Sequence, residues 1–124
     1  MRKVMLIEDD RTMLSLLTTL LQLEGFDVVT PVNDQPDSIL ETIRQHHPDV
    51  ALLDVNLRQC NGLELIQSLR TDDELKNQRV IMSSGLNLED ECLKAGANSF
   101  LLKPYMPDDL INLIKQIIGK ENSG

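Results

Sequence analysis

What most constrains this chain is an alternation met five times along its length: a short apolar run, then a stretch whose apolar residues recur at helical spacing. The runs are Val4-Met5-Leu6-Ile7, residues 26–30 around Val28-Val29, Val50-Ala51-Leu52-Leu53, Val80-Ile81-Met82 and Phe100-Leu101-Leu102. They are too short for buried helices and show no polar alternation, so they read as strands buried on both faces. Only a parallel sheet covered by helices on both sides buries strands in that way.

The helices between them carry their own punctuation. Asp10 can cap a first helix whose stripe Met13, Leu16, Leu17, Leu20, Leu21 and Leu23 runs until Gly25. Pro36 suits the first turn of a second, with Ile39, Leu40 and Ile43 inward and Pro48 beyond its end. A third follows Asn61-Gly62 with Leu63, Leu65, Ile66 and Leu69, and residues 70–79 read as a charged surface connection. Residues 88–95 form a weak, short helical pattern closed by Gly96, and Pro107 opens the last helix with Asp108 and Asp109 set favourably against its dipole. The predicted fold is α/β: a doubly wound, five-stranded parallel sheet with five helices. Right-handed crossovers leave few topologies, of which 2-1-3-4-5 is the common one.

Composition sets the outer limits. The 124 residues suit one domain, residues 1–124 with a core over about 3–120, large enough for a core without metal or disulfide staples. Twelve basic against twenty acidic residues leave a net charge of −8, which opposes binding to nucleic-acid backbones and anionic membranes. The first apolar stretch ends in Glu8-Asp9-Asp10, too short for a signal-peptide core or a membrane span, so a cytoplasmic protein is expected. Cys60 and Cys92 have no metal-ligand spacing and read as free thiols.

Charge gathers where the apolar runs stop. Glu8, Asp9 and Asp10 follow the first, Asp54 the third and Lys103 the fifth. In an open parallel sheet the C-terminal strand ends converge on one ligand crevice, so these distant residues are expected to form one site. Carboxylates so crowded need a cation, a proton or a basic side chain among them. Singly, each has a plainer reading: cap and solvated charge for the acidic triplet, a loop residue for Asp54, a backbone-bonded hydroxyl for Ser84, a surface charge for Lys103. Asp10 keeps the capping role. Cys60 reads as a bystander near the site, and His46 and His47 as surface residues closing a helix.

In order along the chain, Leu6-Ile7-Glu8-Asp9-Asp10, Leu52-Leu53-Asp54-Val55-Asn56, Gly62, Ile81-Met82-Ser83-Ser84-Gly85, Ala95-Gly96-Ala97 and Lys103-Pro104 form a pattern. The chain resembles the receiver domain of two-component response regulators, of the chemotaxis-regulator kind, over essentially its whole length. That resemblance implies the flavodoxin-like receiver fold, whose strand order is again 2-1-3-4-5, so the two topology arguments are not independent. It implies Asp54 as phosphoacceptor, attacking phosphorus to give an acyl phosphate. It implies Mg²⁺ held by Asp9, Asp54 and the backbone carbonyl of Asn56, with Glu8 in contact mainly through water. Lys103 would neutralise charge on the transferring group. Ser84 would move to bond a phosphoryl oxygen and Phe100 turn inward behind it, with plain core packing the other reading of Phe100.

The implied partners are a histidine kinase or histidine phosphotransfer protein as donor, a small phosphodonor in its place, and a downstream protein met through residues 86–118, with homodimerisation on activation. Two other classes compete. One is a pseudo-receiver that binds partners without phosphorylation, against which the complete acidic set, hydroxyl and lysine argue. The other is a metal-dependent phosphatase of similar topology, whose usual second aspartate is Asn56 here. Three departures from the family pattern stand out. Arg58 replaces a common Pro, so residues 57–61 are expected to be looser or to bring a cation to the site. The interval from Ser84 to Lys103 is about one helical turn short, which falls in the fourth helix. Gly85 leaves donor access open, whereas Leu86 sets an apolar side chain near the entrance and, with Asn56, bears on phosphate lifetime.

Overall fold

A computed structural model describes residues 2–122, so residue 1 and residues 123–124 of the expected domain lie outside it. The chain alternates strictly: β1 (Lys3–Ile7), α1 (Arg11–Leu23), β2 (Asp27–Val29), α2 (Pro36–His46), β3 (Val50–Asp54), α3 (Gly62–Thr71), β4 (Val80–Ser84), α4 (Glu89–Ala95), β5 (Ser99–Leu102) and α5 (Pro107–Asn122). Every strand pair is parallel and the order is β2-β1-β3-β4-β5, as expected.

Strand periodicity divides the core in two. Met5, Ile7, Ala51, Leu53, Val80 and Met82 face one way, clustered with Ile39, Ile43, Leu65, Ile66, Leu69 and Cys92 of α2, α3 and α4. Val4, Leu6, Val50, Leu52 and Ile81 face the other way, clustered with Leu17, Leu21, Leu110, Ile114 and Ile118 of α1 and α5. Burying one Leu or Ile side chain is worth about 1.5–3 kcal/mol. β3 and β4 are buried at every position and β1 at all but Lys3, so these three strands anchor the sheet. The edge strands β2 and β5 are only partly covered.

Local chemistry sets the boundaries. The Asp10 side chain accepts the Met13 amide and so caps α1. At the other end Gly25 takes φ +93°, the Gly25 amide donates to Gln22 and the Phe26 amide to Leu21, a Schellman closure. That closure removes Phe26 from the expected second strand, which is only Asp27–Val29, and buries its ring with α1 and α5. Two members of the expected α1 stripe are misplaced: Leu16 is 45% and Leu23 76% exposed. Asn61 caps α3 by accepting from the Leu63 and Glu64 amides. α4 has 7 residues, in keeping with the short interval before Lys103.

Residues 70–79 are more than a surface connection. Arg70 and Thr71 belong to α3, Leu75 is buried, and the Asp72 carboxylate holds the turn by accepting the Glu74 and Leu75 amides. Arg70 donates to the carbonyls of Gly96 (2.9 Å), Lys76 (2.9 Å) and Gln78 (2.7 Å) and to the Asn98 side chain (3.2 Å). One guanidinium thus ties the end of α3 to the turn between α4 and β5.

Candidate functional site

Asp54 ends the central strand β3 with 8% of its surface exposed. Its two oxygens have different partners: Oδ1 accepts the Asn56 amide at 3.0 Å, and Oδ2 accepts Lys103 Nζ at 2.7 Å. The same ammonium donates to Glu8 Oε1 at 3.0 Å and Oε2 at 3.3 Å, and the Glu8 side chain is only 3% exposed. β1, β3 and β5 therefore bring two buried carboxylates onto one lysine. Burial alone would lower the Lys103 pKa; the bonds and charges of Asp54 and Glu8 outweigh it and push it up, so the ammonium is kept.

The backbone supports this geometry. The Lys103 amide donates to the Ser84 carbonyl at 2.8 Å, locking the end of β5 to the end of β4. The fully buried Ser84 accepts the Leu86 amide on Oγ at 3.1 Å. Gly62 packs so closely beneath the site that a Cβ there would stand 2.7 Å from the Asp54 carbonyl oxygen and 2.8 Å from Val55 Cα.

Asp9 borders an open cleft of about 530 Å³ lined also by Glu8, Arg11, Asp34 and Arg58. Consecutive amides of the loop after β3 hold two carboxylates there: Arg58 donates to Asp9 Oδ2 (3.0 Å) and Gln59 to Asp34 Oδ2 (3.2 Å). Burial, then the facing Asp34 charge, pushes the Asp9 carboxyl up, while the Arg58 amide and guanidinium pull it down. Arg58 supplies an amide that a proline lacks, and Leu57 N to Cys60 O (3.2 Å) with an Asn56–Asn61 bridge closes the turn. It also brings the expected cation near the site.

The remaining expected residues fall as follows. Phe100 is half-buried in β5, in register with Met82 and on the same sheet face as Ser84. Cys60 is buried in the core, and burial followed by the charges of Asp34 and Glu64 pushes its thiol up, away from a reactive thiolate. His46 lies against Lys3 at the far end of β1 and His47 closes α2 at φ +47°, both remote from the strand ends. Two neighbours of the site escaped sequence reading. Asp34 gave no signal, since a loop contact brings it in. Tyr105 is two residues past Lys103, yet its burial at the site is not encoded by spacing.

Among the described residues no group of three or more His, Cys, Asp or Glu side chains is placed to hold a metal ion, and Lys103 lies bonded to both Glu8 and Asp54. The donor chemistry nevertheless suits Mg²⁺, which asks for hard oxygens, takes only one or two carboxylates and keeps several waters. Among the described residues no helix is long and apolar enough to cross a membrane.

Comparison with known proteins agrees with this fold. The family model for the response regulator receiver domain matches residues 4–115. The chain belongs to the response regulator receiver domain family. It is similar to the polar-differentiation response regulator DivK of Brucella anthropi, 28% identical over 121 residues, 95% of this chain and 97% of that one. Among solved structures, the Francisella response regulator 1452 receiver domain superposes with TM-score 0.88 at 25% identity, over 98% of this chain and 99% of that one. The BeF₃-activated N-terminal receiver domain of Klebsiella pneumoniae RstA gives 0.82 at 25%, over 94% and 98%. As a receiver, the chain is a phosphorylation-based signalling switch and not an enzyme with a substrate of its own. Its family uses Mg²⁺ for phosphotransfer and works with histidine kinases or phosphotransfer proteins.

Proposed function

We propose that Asp54 is the phosphoacceptor of this receiver and that Lys103 is the group handed from acceptor to phosphate. The observation that carries this reading is the 2.7 Å bond from Lys103 to Asp54 Oδ2, opposite the oxygen held by the Asn56 amide. When a phosphodonor enters, Lys103 shifts its bond from Oδ2 to a phosphoryl oxygen. Oδ2 is then free to attack, while the Asn56 amide keeps the carboxylate oriented through Oδ1. A P–O bond to Asp54 forms as the P–N bond of a phosphohistidine breaks, and the imidazole leaves with the electron pair. Acetyl phosphate serves equally, its P–O bond breaking in place of P–N.

Asp9, Asp54 and the Asn56 carbonyl are the proposed Mg²⁺ ligands, with Glu8 reaching it through water. When bound, the ion neutralises charge on the transferring phosphoryl group. Ser84 gives up the Leu86 amide and donates its hydroxyl to a phosphoryl oxygen, and Phe100, in register with Met82 two positions before Ser84, follows inward. The downstream surface is assigned to residues 86–118, to a protein partner or to a second copy on activation. Leu86, Leu93, Leu102 and Met106 are all exposed there, 44–68% each, which supports that assignment. Free Cys60 and Cys92 suit the proposed cytoplasmic setting.

Incubation with acetyl phosphate, with and without Mg²⁺, followed by intact mass, tests the reading. One phosphoryl adduct is expected, only with Mg²⁺, and none in Asp54→Asn. An adduct of unchanged yield in Asp54→Asn contradicts it.

A further inference from the structure

Small phosphodonors are anions, and here they approach a strongly acidic surface. Glu8, Asp9, Asp10, Asp34 and Asp54 stand at the C-terminal strand ends or in the loops beside them, with Lys103 bonded to two of them. A divalent ion held by Asp9 and Asp54 still leaves that mouth two charges negative, in a chain whose net charge is −8. Such a mouth repels a dianionic donor.

Two cations are placed to cancel the excess. Arg11 and Arg58 line the same cleft as Glu8, Asp9 and Asp34. Both are exposed, and among the described residues neither guanidinium is held in a hydrogen bond or an ion pair. The Arg58 amide is 3.0 Å from Asp9 Oδ2, which bounds where its side chain can be. An arginine side chain reaches about 7 Å from its Cα, so in any rotamer the guanidinium stays within about 11 Å of the Asp9 carboxylate. At about 0.01 M ionic strength an exposed charge is felt over about 30 Å, so no contact is required. Asp9 registers that charge: burial and the facing Asp34 push its carboxyl up, and Arg58 opposes them. A proline at this position would supply neither the amide nor the charge.

We infer that Arg58, together with Arg11, is a specificity-determining residue for small dianionic acyl phosphates: its charge neutralises the mouth of the site and steers such donors toward Asp54. The bond changes are untouched. Asp54 forms the P–O bond while the acyl carboxylate leaves with the electron pair, and Arg58 acts only on the approach. The same positive charge stands near Asp9, a proposed Mg²⁺ ligand, so it weakens Mg²⁺ binding while it strengthens capture of the donor. Opposite effects of that kind separate a charge at the mouth from a residue that only shapes the loop, since a distorted loop would impair both. This inference rests on Asp54 as phosphoacceptor and Asp9 as a metal ligand.

Arg58→Gln removes the charge and keeps the amide that Asp9 accepts, Arg58→Glu reverses the charge, and Arg58→Lys retains it. The second-order rate constant for phosphorylation by acetyl phosphate is read by intact mass at saturating Mg²⁺ and low salt. It is expected to fall about threefold in Arg58→Gln and about tenfold in Arg58→Glu, and to stay at the native value in Arg58→Lys, as one or two unit charges acting on a dianion about 9 Å away in water require. In about 1 M salt the variants and the native chain should react alike, because the range of an exposed charge shrinks to about 3 Å. Mg²⁺ binding without donor, followed by calorimetry, should move the other way and be about threefold tighter in Arg58→Gln at low salt. A native rate in Arg58→Glu, a loss that persists undiminished in high salt, or Mg²⁺ binding that is unchanged or weaker in Arg58→Gln would each overturn the inference. A native chain that takes no phosphoryl group from acetyl phosphate, or takes it on another residue, overturns the Asp54 reading instead, so the two failures are told apart.

Discussion

At the residue scale the site is a charge balance with Lys103 at its centre. Lys103→Met leaves Glu8 and Asp54 buried against each other with no cation, and about 2–3 kcal/mol of stability at neutral pH is expected to go. In the native chain the raised Lys103 pKa contributes stability that is fully present below the ordinary lysine value and is lost only as pH rises through the folded one. In the variant the sign reverses: uncompensated carboxylates take up protons, so urea denaturation in the metal-free state should show stability returning as the pH falls. Asp9 is a smaller case of the same kind. Its raised pKa means that its stabilising contribution is present in acid and lost as pH rises through that value, so its charge opposes the fold at neutral pH. Asp9→Asn should therefore raise metal-free stability at neutral pH by up to about 0.5 kcal/mol, a gain that disappears in acid. Glu8, Asp9, Asp54 and Lys103 were legible in the sequence because strand ends of a parallel sheet must converge. Asp34 was not, since only the folded loop after β3 sets the Gln59 amide against it. The buried, unpartnered hydroxyl of Tyr105 was equally hidden, because a missing bond leaves no pattern in a sequence.

At the element scale, two close approaches hold the strand ends and helices in register. Gly62 lets α3 start directly under Asp54, and Gly62→Ala would press a methyl group against backbone that cannot yield cheaply. A loss of about 1–3 kcal/mol is expected in chemical denaturation, with slower phosphate uptake because the Asp54 carbonyl must shift. Arg70 acts farther from the chemistry. Its fork spans carbonyls of three separate residues, which a lysine cannot reproduce, so Arg70→Lys should speed amide exchange at Ala97 and Asn98 in the turn before β5. Apolar spacing located every strand and helix, because burial on one face or two is written residue by residue. It overran at Phe26, where a Schellman closure won over strand propensity, and at Leu16 and Leu23, where a helix stripe was drawn wider than the face that packs. It also left Arg70 outside α3, since a half-buried arginine bonded to carbonyls looks like any surface charge in a sequence.

At the scale of the whole molecule, the fold separates a rigid centre from a responsive edge. β1, β3 and β4 carry the buried load, whereas β5 is half-covered and is joined to the site at both Ser84 and Lys103. A change of partner at Ser84 or Lys103 therefore has its least resisted path through β5 and α4. Hydrogen exchange with and without beryllofluoride should change across residues 84–106 and leave α2 unchanged; an equal response in α2 would mean that the switch is spread over the fold. Everything in this account depends on which carboxylate receives the phosphate. The direct measurement is reduction of the acetyl-phosphate-treated chain with borohydride, which converts an aspartyl phosphate to homoserine, followed by peptide mass mapping. Homoserine at position 54 and at no other acidic residue is the predicted result; homoserine at Asp9, Asp34 or elsewhere, with Asp54 intact, would contradict it.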